Sequence, residues 1–357
     1  MANRRVAAWP AVSRHVKILL HAGVDLTLPG GVETHLRELA RCLTARGHDV
    51  DLYARPVPCP PLSTVAAFDP ARYDVIHDHG YEWPRGLDVG GRYVRTLHFC
   101  VAAKMETYVR LGRLRTLANP ANWRARAVER AAIRRRGRVI AVSARVRDEF
   151  ARHHGLDPER AVVVPNGVLF QKPARGRAAW RAANGVAPGT PVLLTIGRRD
   201  FVKGTALLAR AWEEVRTRMP DALWVEAGGD AREARPGRLT TGPIPHADVL
   251  EWIAAADVGA LPSFYEGCSV ALLEMLAGGL PALAHDVGNA SEVIRPPSGG
   301  AIVARDHGAW ATAIVDALGR PAATAASPRA AGLGPEYGWE AGAERIERVY
   351  MATSGTC

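Results

Sequence analysis

The stretch from Pro262 to Ala284, PSFYEGCSVALLEMLAGGLPALA, limits the fold more than any other part of the chain. The apolar run Val258 to Leu261 stops at a proline, and Pro262 to Gly267 has loop composition. Val270 to Ala277 then has helix composition, with Ser269 available near its start and Gly278-Gly279 as its stop. A strand that passes through a loop into a helix is the unit of an open α/β sheet, where ligands bind beyond the strand ends. The spacing places Glu266 in the loop and Glu274 on the helix. Were both helical, they would stand about 80° apart around the axis, so they flank the helix start without sharing one point. The free N–H groups of the first turn, next to Gly267, suit an anion. Such a site takes a ligand with phosphate at one end and hydroxyls at the other. Taken singly, each glutamate reads equally well as a solvated side chain.

The same unit recurs through the 357 residues. Val16 to His21 reads as a first strand, followed by Gly30-Gly31-Val32-Glu33 and a helix from Thr34 to Ala45 with Leu36, Leu39, Ala40 and Leu43 on one face. Glycines there let backbone N–H groups approach a phosphate. Asp74 to Gly80 and Arg95 to Phe99 each run from strand into loop, which puts His98 at a strand end; as a lone histidine it also reads as structural. His77 and His79 are expected to point to opposite faces, against a paired metal site. Ser143 can cap a helix containing Val146 and Phe150, and Ala161 to Pro165 gives a strand before Asn166-Gly167-Val168.

A composition shift near Val168 to Pro173 marks a linker. Beyond it, Val192 to Gly197 reads as a strand, Arg198 to Gly204 as a loop, and Thr205 to Met219 as a helix. Arg198 supplies a planar fork and Lys203 a mobile point charge, a pair suited to a diphosphate although no P-loop pattern is present. Ala222 to Ala227 ends in Gly228-Gly229-Asp230, and Leu239 to Pro245 leads through His246 to another helix. Pro321 to Pro335 reads as a connector, and Trp339 to Tyr350 as the final helix. The expected division is residues 1–170, 171–335 and a last helical segment, 336–357, that packs back toward the first domain.

Formal charge is +10, nearly all of it from arginine, which suits phosphorylated small molecules, anionic lipid or nucleic acid. The densest basic region, 104–138, reads as a solvated face, a steering surface for an acidic acceptor, or a peripheral contact with an anionic membrane. It lacks the aromatic interleaving and finger spacing of nucleic-acid binders, so no nucleic-acid partner is expected. Cys42, Cys59, Cys100, Cys268 and Cys357 have no ligand or disulfide spacing. The start lacks a leader-like apolar run and no stretch reaches membrane-spanning length, so a cytoplasmic protein, at most peripheral to the inner face of the membrane, is expected.

In order and spacing, Gly30-Gly31-Val32-Glu33, Val163 to Val168, Gly197-Arg198, Lys203-Gly204 and Pro262-Ser263 with Glu266-x7-Glu274 resemble the retaining nucleotide-sugar glycosyltransferases of family 4. The resemblance covers almost the whole chain and implies the GT-B fold, two Rossmann-like α/β domains facing across a deep cleft. It implies that Arg198 and Lys203 neutralise a donor diphosphate with backbone groups at Gly31 and Val270. Glu266 would hold sugar hydroxyls, Glu274 the ribose, and Gly228 with Ile244 to His246 the base. His98 would lie near the anomeric centre, with Gly30, Gly267, Cys268 and Ser269 completing the donor site. No cofactor or metal is expected, and the donor would be a nucleoside diphosphate sugar, UDP- or GDP-linked by preference. The favoured acceptor is small and polar, as in natural-product assembly; the alternatives are a lipid or cell-envelope acceptor, or a noncatalytic nucleotide-sugar-binding role. Cys268-Ser269 and Asn289 depart from the family pattern and bear on sugar identity.

Overall fold

A computed structural model describes residues 15–22, 26, 30–53, 63–64, 69–80, 89–319 and 333–353. The expected acceptor-shaping loop at 81–85, residues 27–29 before the Gly-Gly pair, and most of the 321–335 connector lie outside the described residues.

The short apolar runs become strands of two sheets. The first contains β1 (Lys17–His21), β2 (Asp49–Tyr53), β3 (Ser63–Thr64), β4 (Val75–Asp78), β5 (Tyr93–Leu97), β6 (Arg138–Ala141) and β7 (Ala161–Val163), all parallel, in the order 3-2-1-4-5-6-7. The second contains β8 (Val192–Ile196), β9 (Leu223–Arg235), β10 (Arg238–Gly242), β11 (Val258–Leu261), β12 (Ala282–Ala284) and β13 (Gly300–Ile302), in the order 10-9-8-11-12-13. Both orders reverse beside their first strand, so a crevice opens beyond β1 and β4 in one sheet and beyond β8 and β11 in the other. Strands β4, β5 and β11 are buried along their whole length, as a sheet covered on both faces requires.

Helices α1 (Gly31–Ala45), α2 (Val101–Arg110), α3 (Pro120–Arg134) and α4 (Ala144–His154) accompany the first sheet. The second carries α5 (Arg177–Ala183), α6 (Thr205–Arg218), α7 (His246–Ala255), α8 (Val270–Ala277), α9 (Ala290–Val293) and α10 (His307–Leu318). Two boundaries near the cleft differ most from expectation. Helix α1 begins at Gly31 instead of Thr34, so the glycine pair is the helix start itself. Beyond Gly228 and Gly229, at φ +124° and +88°, β9 continues through Glu233–Arg235 and pairs back on β10. The sequence there, DAREAR, is too polar to show an apolar alternation.

The final helix, α11 (Trp339–Thr353), returns to the first sheet and lies along α1. Arg41 pairs with Glu340 at 2.9 Å, His48 Nε2 lies 2.8 Å from the buried Glu347, and the Tyr350 hydroxyl is 2.6 Å from His77 Nδ1. The Val168 N–H donates to the Tyr337 carbonyl at 2.9 Å, and Gly167 lies under Trp339. One apolar cluster runs across the cleft floor, joining Leu97, Val139 and Phe150 to Leu261, Tyr265 and Leu272.

A Cβ on Gly167 would stand 2.4 Å from the Trp339 ring, whereas one on Gly189 meets nothing. Gly167→Ala is therefore expected to lower stability by about 1–3 kcal/mol, and Gly189→Ala to change it by less than about 0.5 kcal/mol. Urea unfolding of both variants checks this.

Candidate active site

One end of the candidate site forms where two helices begin. Helix α1 starts at Gly31 behind Gly30, which offers no side-chain cap, and α8 starts at Val270, with the Ser269 hydroxyl accepting from the Leu272 N–H at 3.3 Å. A Cβ on Gly31 would stand 4.0 Å from Val270 Cγ2, so the two N-termini meet across the cleft. Their unpaired N–H groups and the positive ends of both dipoles converge there. Lys203 lies at the end of a short turn capped by Asp200, and its Nζ is 2.8 Å from Glu266 Oε1. Arg198 is exposed and has no partner among the described residues.

Lys104 is a further cation at this site that sequence reading left inside the basic region. It rises from α2, its ammonium 5.8 Å from the centre of the Phe99 ring and 5.6 Å from that of Tyr108. Burial lowers its pKa, opposed by Asp200 and Glu266 and reinforced by Lys203 and Arg198. The signal in the sequence was its place in the first turn after His98-Phe99, hidden by the arginines that follow.

At the other end, Glu274 Oε1 is 2.7 Å from His246 Nε2, a hydrogen bond that raises the His246 pKa. His246 is the first residue of α7, one step inside the helix it was expected to precede. A Cβ on Gly228 would come within 2.5 Å of the Gly197 carbonyl oxygen, so this strand crossing needs glycine. Ile244 packs on the shared apolar cluster. Cys268 is buried, with its thiol pushed up to about 12, which makes it no nucleophile. Its carbonyl accepts from Asn166 Nδ2 at 3.1 Å, and the Ser269 N–H donates to Asn289 Oδ1 at 2.9 Å. Cys268, Ser269 and Asn289, the departures from the expected pattern, thus fix the loop and the helix start.

That loop is fastened to the first domain. A Cβ on Gly267 would meet the His98 carbonyl oxygen at 1.8 Å, so only glycine permits the contact. The Ser143 hydroxyl donates to the Gly267 carbonyl at 2.8 Å. Next to Glu266, the buried Tyr265 reaches into the first domain: its hydroxyl accepts from the Cys100 N–H at 2.8 Å, and lies 3.1 Å from the Cys100 carbonyl and 2.7 Å from Glu149 Oε2. Burial pushes the Glu149 carboxyl up to about 7, although the Tyr265 bond opposes the shift. A protonated Glu149 satisfies every group, because it donates to the tyrosine oxygen while the phenolic hydrogen goes to the Cys100 carbonyl.

His98 lies in a cluster of imidazoles. His79 Nδ1 is 3.1 Å from His98 Nε2, and the His35 ring centre is 4.9 Å from that of His98. The expectation that His77 and His79 point apart fails: residues two apart on an extended chain share a face, and the two ring centres lie 3.9 Å apart. Burial lowers the pKa of His35 to about 4 and holds His77, His79 and His98 below the ordinary histidine value. The cluster is therefore neutral near pH 7, and His98 presents an uncharged imidazole to the cleft.

The model of Glycosyltransferase Family 4 matches residues 29–71 and 62–171, and that of Glycosyl transferases group 1 matches residues 190–320. A D-inositol 3-phosphate glycosyltransferase from Pseudarthrobacter chlorophenolicus is 30% identical over 75% of this chain and 68% of its own length. Another, from Kineococcus radiotolerans, is 33% identical over 60% of this chain, which spans 56% of that relative. The sucrose-phosphate synthase structure from Thermosynechococcus elongatus superposes with a TM-score of 0.74 over 95% of this chain and 99% of its own at 20% identity, which shows the fold.

The folded protein keeps the Glu149 proton to about pH 7, whereas an unfolded carboxyl releases it near its ordinary 4.5. Between those values the folded state binds more protons, so this group's contribution to stability is full below the lower value and is lost as pH rises through the upper one. Glu149→Gln is expected to flatten that part of the pH–stability curve, read from thermal midpoints. Tyr265→Phe is expected to cost about 1–3 kcal/mol at every pH, because it leaves the Cys100 N–H without its acceptor.

Proposed function

The chain belongs to glycosyltransferase family 4 as a nucleotide-sugar-dependent transferase, and on that premise we propose that it moves a hexose or related sugar to a hydroxyl of a small polar acceptor, with retention at the anomeric carbon. The observation that carries this reading is the close approach of the α1 and α8 N-termini, with Glu266, just before the α8 start, held by Lys203, and Glu274 on α8. Arg198 and Lys203 take the charge that develops on the leaving diphosphate, aided by the N–H groups at Gly31 and Val270. Glu266, with its partner Lys203, holds sugar hydroxyls. Glu274 holds the ribose, whose hydroxyls replace or share His246. Gly228 and Ile244 border the base, and UDP- or GDP-sugars are the favoured donors. His98 hydrogen-bonds to the sugar near the anomeric centre. Glu266, tied to Lys203, serves as a hydrogen-bonding group and not as a nucleophile. Positioning of the acceptor on the same face as departure supplies the rest.

A small acceptor fits the relatives, which are named for transfer to D-inositol 3-phosphate. Lys104 lies among the groups of this site and suits an acceptor that is anionic as well as polar. A second reading has its own observation. Within the basic region 104–138, Leu114, Leu117 and Trp123 are exposed by 62%, 43% and 46%, among Arg113, Arg115, Arg124 and Arg126. Such a surface suits peripheral contact with anionic lipid and a membrane-borne acceptor. No helix of the described residues is long and apolar enough to cross a membrane.

Calorimetric titration with UDP-, GDP-, ADP- and dTDP-sugars and the free diphosphates is expected to select one nucleotide; absence of binding by folded protein contradicts the donor site. Arg198→Ala is expected to lower kcat roughly a hundredfold to a thousandfold, Glu274→Gln to weaken donor binding, and His98→Ala to impair transfer more than binding. Proton NMR of the product reads the anomeric configuration, and inversion contradicts the mechanism. Sedimentation with phosphatidylglycerol vesicles separates the acceptor readings: the small-acceptor reading expects no pelleting, while pelleting abolished by Trp123→Ala favours the membrane.

A further inference from the structure

Three of the four clustered imidazoles converge on one point. A ring nitrogen of each of His35, His79 and His98 lies within 4.8 Å of a ring nitrogen of the other two. His79 Nδ1 lies 3.1 Å from His98 Nε2. They come from separate elements: His35 from α1, and His79 and His98 from the loops after β4 and β5. Their meeting is therefore a product of the tertiary fold.

The tautomer of His35 follows from its surroundings. Asn166 donates through Nδ2 to the Cys268 carbonyl at 3.1 Å, which leaves its Oδ1 facing His35 Nδ1 at 3.0 Å. An amide oxygen only accepts, so His35 Nδ1 carries the hydrogen and Nε2 holds a bare lone pair. That atom is buried and has no hydrogen-bond partner among the described residues, and His79 Nε2 is in the same condition. The two side chains belong to residues only 1% and 3% exposed. A buried nitrogen lone pair with no donor in reach is a costly arrangement unless something binds there. A hydrogen bond that fixes one ring nitrogen and aims the other is also how histidine ligands of metals are held.

We propose that His35, His79 and His98 form a binding site for a divalent first-row transition ion of the zinc class, open toward the cleft at its fourth position. At a metal–nitrogen distance of about 2.0–2.1 Å, the edge of a tetrahedron is about 3.4 Å. One nitrogen of each ring lies within 4.8 Å of the others, and the His79 Nδ1 to His98 Nε2 contact is 3.1 Å, so shifts on the order of an ångström bring a nitrogen of each ring to that edge. The all-imidazole donor set favours Zn²⁺, Co²⁺, Ni²⁺ or Cu²⁺ over Mg²⁺ or Ca²⁺, which prefer oxygen. His98 is half-buried where the other two are buried, which puts the open position on the cleft side. An ion held there occupies His98 Nε2 and withdraws it from the sugar, so the site inhibits transfer. This consequence rests on the role proposed for His98, whereas binding of the ion does not.

The test uses chelator-treated full-length protein and Co²⁺ as probe. One equivalent of Co²⁺ is expected to give the visible d–d absorption of a tetrahedral nitrogen site, and Zn²⁺ to bleach it. His35→Gln and His79→Gln are each expected to weaken Co²⁺ binding roughly tenfold or more, and Zn²⁺ is expected to raise the thermal midpoint of the parent protein but not of the variants. If either buried variant fails to fold, His98→Asn, at the half-buried position, takes its place. Weak, multiple Co²⁺ binding that all variants retain marks surface attachment and overturns the proposal, as does Mg²⁺ giving the same stabilisation as Zn²⁺. Intact Co²⁺ binding with transfer unaffected by Zn²⁺ overturns the inhibitory consequence and leaves the metal site standing. In protein with no measurable transferase activity, the absorption and stability readouts still decide on the site.

Discussion

The backbone contact between Gly267 and His98 sets the geometry of the whole cleft. It fits no side chain larger than hydrogen, since an added Cβ would overlap the His98 carbonyl oxygen. One residue before it stands Glu266, and three after it α8 begins. The distance between the domains at this point therefore decides whether the α8 N-terminus reaches that of α1 and whether His98 faces the same space as Glu266. Around the contact, Ser143 holds the Gly267 carbonyl, Asn166 holds that of Cys268, and Tyr265 enters the first domain. These bonds cost little where they are fully satisfied, and leaving any one of them half-made in a buried site is expensive.

The final helix supports the other side of the same contact. Tyr350 bonds to His77, His77 bonds to Thr96 at 2.7 Å, and Thr96 lies on β5 two residues before His98. Trp339 closes over Gly167 beside Asn166, the residue that bridges His35 and the Cys268 carbonyl. The last segment of the chain thus braces the strand ends from which the first domain presents its half of the site. Its buried Glu347 is paired with Arg46 and His48, so the brace is held by charge as well as by apolar packing.

Much of this was legible in the sequence because periodicity and glycine placement carry it. Short apolar runs ending in glycine or polar loops gave the two sheets, and Ser269 and Gly278-Gly279 marked α8. What was hidden has physical causes. The return arm of β9 is made of charged residues that pair only because two glycines turn the chain back on β10. The adjacency of His77 and His79, by contrast, was available from their spacing, because residues two apart on an extended chain share a face. Lys104 is one cation among many, and only the packing of α2 over the cleft sets it apart from the arginines that follow. Tyr265 and Glu149 are far apart in sequence, and neither has a pattern that announces the other.

In the proposed donor site the two facing helix N-termini receive the diphosphate. The most direct test of this arrangement is a crystal structure with a bound nucleoside diphosphate. The account predicts the terminal phosphate between the N–H groups of Gly31 and Val270, within reach of Arg198 and Lys203, and the ribose on Glu274. A nucleotide bound with its phosphates away from both helix starts would contradict it.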